Sequence, residues 1–244
     1  QKIEDKAGNA MAGVIVEYSD IDTLDNAVAP NVESVEITAK DKIVITFDQY
    51  LKDAPIEGFE VTVVKDSEEP FVGKAKDHYK STSVTRNSKG NTVVTLVLKS
   101  AVIKADASNV TVEVLDNELK NRLDVAVKGE TFYPATNNSG QKVVADKIAP
   151  SIKETGEGKN KKLDIRAQVG SNEITIYYDE AIENKISYRD FEVKDYTIEN
   201  IEADVVGTEG NVEEYVVIIT LTENIDTTSI KLTQEYAVKD KAGN

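Results

Sequence analysis

The pentapeptide DKAGN occurs twice in this 244-residue chain, at 5–9 and at 240–244, and a second signature recurs with it. An aspartate followed by a short apolar-Ala-Pro step appears as DNAVAP, ending at Pro30, and as DKIAP, ending at Pro150. Two repeated signatures mark a stretch of an array of similar units. The two prolines stand 120 residues apart, so each unit is one small domain rather than a helical hairpin repeat.

The periodicity inside the units is that of strands. KIVITF (42–47), FEVTVV (59–64), NTVVTLVL (91–98) and NVTVEVL (109–115) alternate β-branched with polar residues. EITIYY (173–178), DFEVKDY (190–196), EYVVIITL (214–221) and SIKLTQEY (229–236) repeat the theme. Polar Gly/Asn turns separate them, and helical periodicity is nearly absent. Short strands at regular spacing predict an all-β chain of antiparallel β-sandwiches. Alternation selects Ile45, Phe47, Phe59, Val61, Val94, Leu96, Val112 and Val114 for one core. It selects Ile174, Ile176, Phe191, Val193, Val217, Ile219 and Leu232 for another.

Laid side by side, the halves align Asp48 with Asp179, Phe59 with Phe191, and Asp116 with Asp240. RLDVAVKGETFYP (122–134) reads as the final strand of the first unit, and AMAGVIVEYSD (10–20), which follows the first DKAGN, reads as its counterpart. The expected organisation is therefore residues 1–29 as the tail of an upstream unit, 30–149 as a complete unit, and 150–244 as a unit lacking its last strand. Residues 10–19 are then expected to pair along an edge of the adjacent unit or to insert into the open unit of a neighbouring molecule.

Charge and residue usage exclude several functions. The net charge is −15, from 44 acidic and 29 basic residues, which argues against nucleic-acid binding. No apolar run is long enough to span a membrane. There is no cysteine and one histidine, His78, which rules out disulfides, thiolate metal sites and histidine-rich zinc sites within these residues. His78 lies in a polar stretch and reads as an ordinary exposed loop residue. Adjacent acids such as Asp179-Glu180 do not make a glycosidase pair, because neighbours along a strand point to opposite faces. No enzymatic activity is expected.

The Asp-x-x-Ala-Pro opening, strands ending in an aromatic and an acid (Phe47-Asp48, Tyr178-Asp179), the Phe-x-Val strand and the closing Val-x-Asp-x-Ala-Gly-Asn together resemble bacterial immunoglobulin-like repeats. Such repeats occur in S-layer and other surface proteins of Gram-positive bacteria. The resemblance implies tandem immunoglobulin-like antiparallel β-sandwich domains, a place on the extracellular bacterial cell surface or cell wall, and wall attachment through modules outside these residues. The first unit departs from the pattern, with DNELKN where the second has DKAGN.

Calcium is the cofactor expected, since it takes about six to eight oxygens from carboxylates, carbonyls and water. In a sandwich the turn after the second strand and the turn before the last lie at the end where the chain enters. That gathers Asp146, Asp179 and Asp240 at the second unit, and Asp25, Asp48 and Asp116 at the first. The competing reading is that these acids brace turns by bonding the local backbone. Two functions follow. One is a rigid module of a self-assembling surface lattice, its partners being copies of itself in a lattice or head-to-tail array. The other is a stalk or ligand-binding module of an adhesin. The 65–90 stretch, read as a long loop, carries Lys74, Lys76, Lys80, Arg86 and Lys89 against an acidic background, which suits a contact with an acidic face.

Overall fold

The computed structural model describes residues 28–244, apart from 66–68, 75, 100–102, 135–139, 157, 184, 208–212 and 236–237. The tail before residue 28, the strand at 10–20 and Asp25 thus lie outside the described residues. The first half holds β1 (Val32–Ala39), β2 (Lys42–Phe47), β3 (Leu51–Asp53), β4 (Phe59–Val63), β5 (Phe71–Gly73), β6 (Tyr79–Arg86), β7 (Thr92–Leu98), β8 (Val110–Val114), β9 (Lys120–Asn121), β10 (Glu130–Phe132) and β11 (Ala145–Asp146). The second holds β12 (Glu154–Thr155), β13 (Lys162–Leu163), β14 (Ile165–Ala167), β15 (Glu173–Tyr178), β16 (Phe191–Val193), β17 (Ile198–Gly207), β18 (Glu213–Leu221) and β19 (Leu232–Gln234). The chain is all-β: among the described residues the only helices are single 3₁₀ turns, and none is long and apolar enough to cross a membrane.

Strand alternation does what the sequence pattern requires. In the first half a sheet ordered β11-β1-β2-β7-β6 faces a sheet ordered β10-β8-β4-β5. Every second residue of β2, β4, β7 and β8 is buried between them. Phe47 and Phe59 meet edge to face across the layers, with ring centroids 6.5 Å apart. In the second half β14-β15-β18-β17 faces the β16-β19 pair. Ile45 sits opposite Val94 on the β2–β7 ladder, and Ile176 opposite Val217 on β15–β18, so the aligned residues share one register. Two hydrophobic cores result, one running from Val32 to Ile148 and the other centred on Ile174, Ile176, Phe191, Val217 and Ile219. Leu232 packs against the second while only partly buried.

Three local expectations are corrected. The stretch read as a long loop contains β6, an eight-residue strand paired with β7 from Tyr79↔Leu98 to Arg86↔Thr92. Its pattern was illegible because β6 overhangs the opposite sheet: all residues after Tyr79 are exposed, and no apolar face is called for. His78 is half-buried, accepting a hydrogen bond from the Lys74 N–H at 3.1 Å and meeting the Phe71 ring edge-on. The expected strand over 122–134 shrinks to β10, because Asp124 adopts a left-handed φ of 59° that breaks extended pairing.

Candidate metal centre

The chain leaves the first sandwich along β11, which lies parallel to β1 with Asp146 beside Ile37. Ile148 is the last residue of the first core, and Ile152 already packs on the second. Pro150 between them limits the backbone, and the residue after it is held on both sides. Ser151 donates its N–H to Asp179 Oδ1 at 2.8 Å, and the Asp179 N–H donates to the Ser151 carbonyl at 3.0 Å. Asn31 and Asp48 form the same reciprocal pair in the first unit, at 2.9 and 3.0 Å. Asp48 also accepts from Asn31 Nδ2 at 2.9 Å. Asp179 uses its second oxygen on Lys40 Nζ, 2.6 Å away in the β1–β2 turn of the first unit. Asp48 and Asp179 therefore brace the chain where it enters each sandwich.

The residue after Asp179, in the bend that follows β15, serves the junction itself. Glu180 is 3% exposed and turns toward Asp146 and Asp240. One carboxylate oxygen from each of Asp146, Glu180 and Asp240 lies within 4.8 Å of the other two. Asp240 is buried and accepts from the N–H and Nδ2 of Asn244 at 2.9 and 2.8 Å. Asp146 accepts the Ile148 N–H at 2.9 Å, and its carbonyl takes the other Asn244 amide bond at 3.1 Å. Glu180 Oε1 is buried with no hydrogen-bond partner. Burial first, then the fields of Asp146, Asp240, Asp179 and Asp106, push the Glu180 carboxyl up to about 8. Burial likewise lifts Asp146 to about 6, against the pull of the Ile148 N–H and with help from Asp240 and Asp106.

The first unit supplies an internal contrast. Ile182 bridges to Asp240 just as Leu51 pairs with Asn121, so the counterpart of Asp240 is Asn121, and Asp116 is not. The turns agree in detail. Asn121 Oδ1 accepts the Val125 N–H and Asp240 Oδ1 accepts that of Asn244, while Asp124 and Gly243 both take positive φ. Gln49 stands where Glu180 stands, one residue past the bracing aspartate. The two amides meet directly, Asn121 Nδ2 donating to Gln49 Oε1 at 3.5 Å. A neutral donor–acceptor pair at one place is thus a pair of acids at the other. Amides satisfy each other; two carboxylates need a proton or a cation between them.

Of the six aspartates singled out from the sequence, the structure brings Asp146 and Asp240 together. Asp179 lies beside them but is committed to Ser151 and Lys40, and the third acid of the cluster is Glu180. Asp116 accepts the Gly129 N–H at 2.9 Å and Asp48 holds Asn31, so neither joins an acidic cluster among the described residues. Glu180 could have been found by asking which of two successive acids at a strand end faces the junction.

An all-β chain of two sandwiches, with an oxygen-donor cluster where they meet, has the form of a tandem-module protein. Residues 33–147 match the family model for outer cell wall protein domain 7. That match, over just under half of the chain, supports an extracellular place at the outer cell wall. Among solved structures, the N-terminal part of the bacterial S-layer protein SbsC is similar at 16% identity, covering 85% of this chain and 44% of that one, with a TM-score of 0.35. Domains 1–6 of the surface layer protein SbsC are similar at 15% identity, covering 89% of this chain and 33% of that one, with a TM-score of 0.31. A marsupial T cell receptor reaches 8% identity, covering 85% and 61%, with a TM-score of 0.21. Scores this low carry no argument, and the chain spans less than half the length of the S-layer structures it matches. No curated protein matches the chain in sequence.

Proposed function

We propose that this chain is a rigid two-module segment of a self-assembling S-layer at the bacterial surface, its modules locked to each other by a calcium ion at the junction. The observation that carries the reading is the buried, unpartnered Glu180 carboxylate oxygen facing two further acids from opposite sides of the linker. Asp146 belongs to the strand that closes the first module, whereas Glu180 and Asp240 belong to the second. A cation held by all three ties the modules and offsets the burial and repulsion that raise both carboxyls. Hard oxygen donors without sulfur or imidazole suit calcium rather than a softer metal. Asp146, Glu180 and Asp240 would supply the ligands, with carbonyl oxygens or water completing the shell.

Thermal unfolding with and without calcium tests this. Calcium should raise the melting temperature of the chelated protein by several degrees, since a ligand that binds only the folded state stabilises it by mass action. The Glu180→Gln/Asp240→Asn variant copies the amide pair of the first unit. It should melt above the chelated wild type and show no calcium response. A wild type indifferent to calcium would remove the cation from the reading.

A further inference from the structure

We propose that β6 of one molecule and β17 of another pair edge to edge, so that copies are joined through unlike strands. The inference rests on the surface-layer reading and names the contact that reading needs. The two strands hold the same place in their modules: β6 is the outermost strand beyond β7, and β17 the outermost strand beyond β18. Each therefore presents one row of backbone N–H and C=O groups with no strand beside it among the described residues. Neither contains proline, which would interrupt such a row.

Their charges are opposite. β6 carries Lys80 and Arg86 and no acid, in a chain with a net charge of −15. β17 carries Glu199, Glu202 and Asp204 and no base. All five of these residues are exposed. Arg86 is steadied by the Tyr50 ring, 3.9 Å from its guanidinium carbon, so its charge is presented from a fixed position. Each edge also exposes apolar surface on the face of its charges: Val84 on β6 is 53% exposed, and Val206 on β17 is 38% exposed.

The sign pattern selects the partner. Pairing β6 with β6, or β17 with β17, sets like charges against each other and is penalised. Antiparallel pairing of β6 with β17, with Val84 opposite Val206, sets Arg86 against Asp204 while the backbone ladder extends, which is strand addition between folded modules. A contact between two different surfaces of one molecule does not close on itself as a two-fold dimer does. It propagates, and a propagating contact builds a layer or filament.

Charge reversal provides the test, followed by analytical ultracentrifugation and electron microscopy. Lys80→Glu/Arg86→Glu makes both edges acidic; Glu199→Lys/Glu202→Lys/Asp204→Lys makes both basic. Each variant alone should need at least about tenfold more protein to associate than the wild type. An equimolar mixture should recover association, because every acidic edge then finds a basic one. Unchanged melting temperatures establish that these exposed substitutions leave the modules folded. Association that persists in both variants, or that the mixture fails to restore, overturns the β6–β17 contact and leaves the surface-layer reading standing. A wild type that stays monomeric at every concentration overturns the contact and the self-assembly reading together.

Discussion

Glu180 decides how stability depends on pH. A carboxyl whose pKa is higher folded than unfolded prefers its proton in the folded state. Its stabilising contribution is complete below the unfolded carboxylate range, about 4 to 4.5, and is lost as pH rises through the folded value. For Asp146 that loss is complete near 6 and for Glu180 near 8. Metal-stripped protein should therefore lose stability as pH climbs from about 5 to 8.5, relative to Glu180→Gln measured in parallel. Calcium should abolish the difference. Identical pH profiles for the two proteins would show that Glu180 does not titrate in this window. The bracing acids act instead through the backbone donors they hold. Asp48→Ala, which leaves the exposed Asn31 N–H at the entrance to the first module to water, should cost about 0.5–1.5 kcal/mol in denaturant unfolding. Its effect should not vary with calcium.

At the scale of elements, the strands of the two cores were legible because burial on one face imposes a period of two, as β2, β7 and β15 show. β6 was not, since Lys80 to Arg86 are exposed on both faces and owe their conformation to the ladder with β7. The counterpart of β1 in the second module was hidden for another reason. It is interrupted after Lys153 by the β12–β13 hairpin and resumes at Asp164, both residues bonding to Tyr177. Glycines also mark close approaches between elements. A Cβ on Gly129, just before β10, would lie 2.9 Å from the Asp116 backbone nitrogen and 3.1 Å from its Cα. Backbone cannot step aside as a side-chain tip does, so Gly129→Ala should cost about 1–3 kcal/mol, read as a lower denaturant midpoint with unchanged slope.

For the whole molecule, the junction sets how one module sits on the next. Lys40 to Asp179, Asn244 to the Asp146 carbonyl, and the acid trio all cross it. With calcium bound, small-angle scattering should show a single fixed arrangement of the two modules. Above about pH 8, where both Asp146 and Glu180 have given up their protons, chelation should broaden it, because three mutually repelling carboxylates then favour separation. Scattering curves that superimpose with and without calcium would mean that the hydrogen bonds and the Lys40 pair alone hold the junction. What the sequence by itself determined is what depends on local pattern: all-β modules, their repeat, their cores and the turns rich in acids. It also placed Asp146 and Asp240 at one end of one sandwich. Only the tertiary structure decided which acids meet. Glu180 rather than Asp179 faces the cluster because both Asp179 oxygens are taken, one by the Ser151 N–H and one by Lys40. Asn121 rather than Asp116 matches Asp240 because strand pairing, not linear alignment, sets which turn residues correspond.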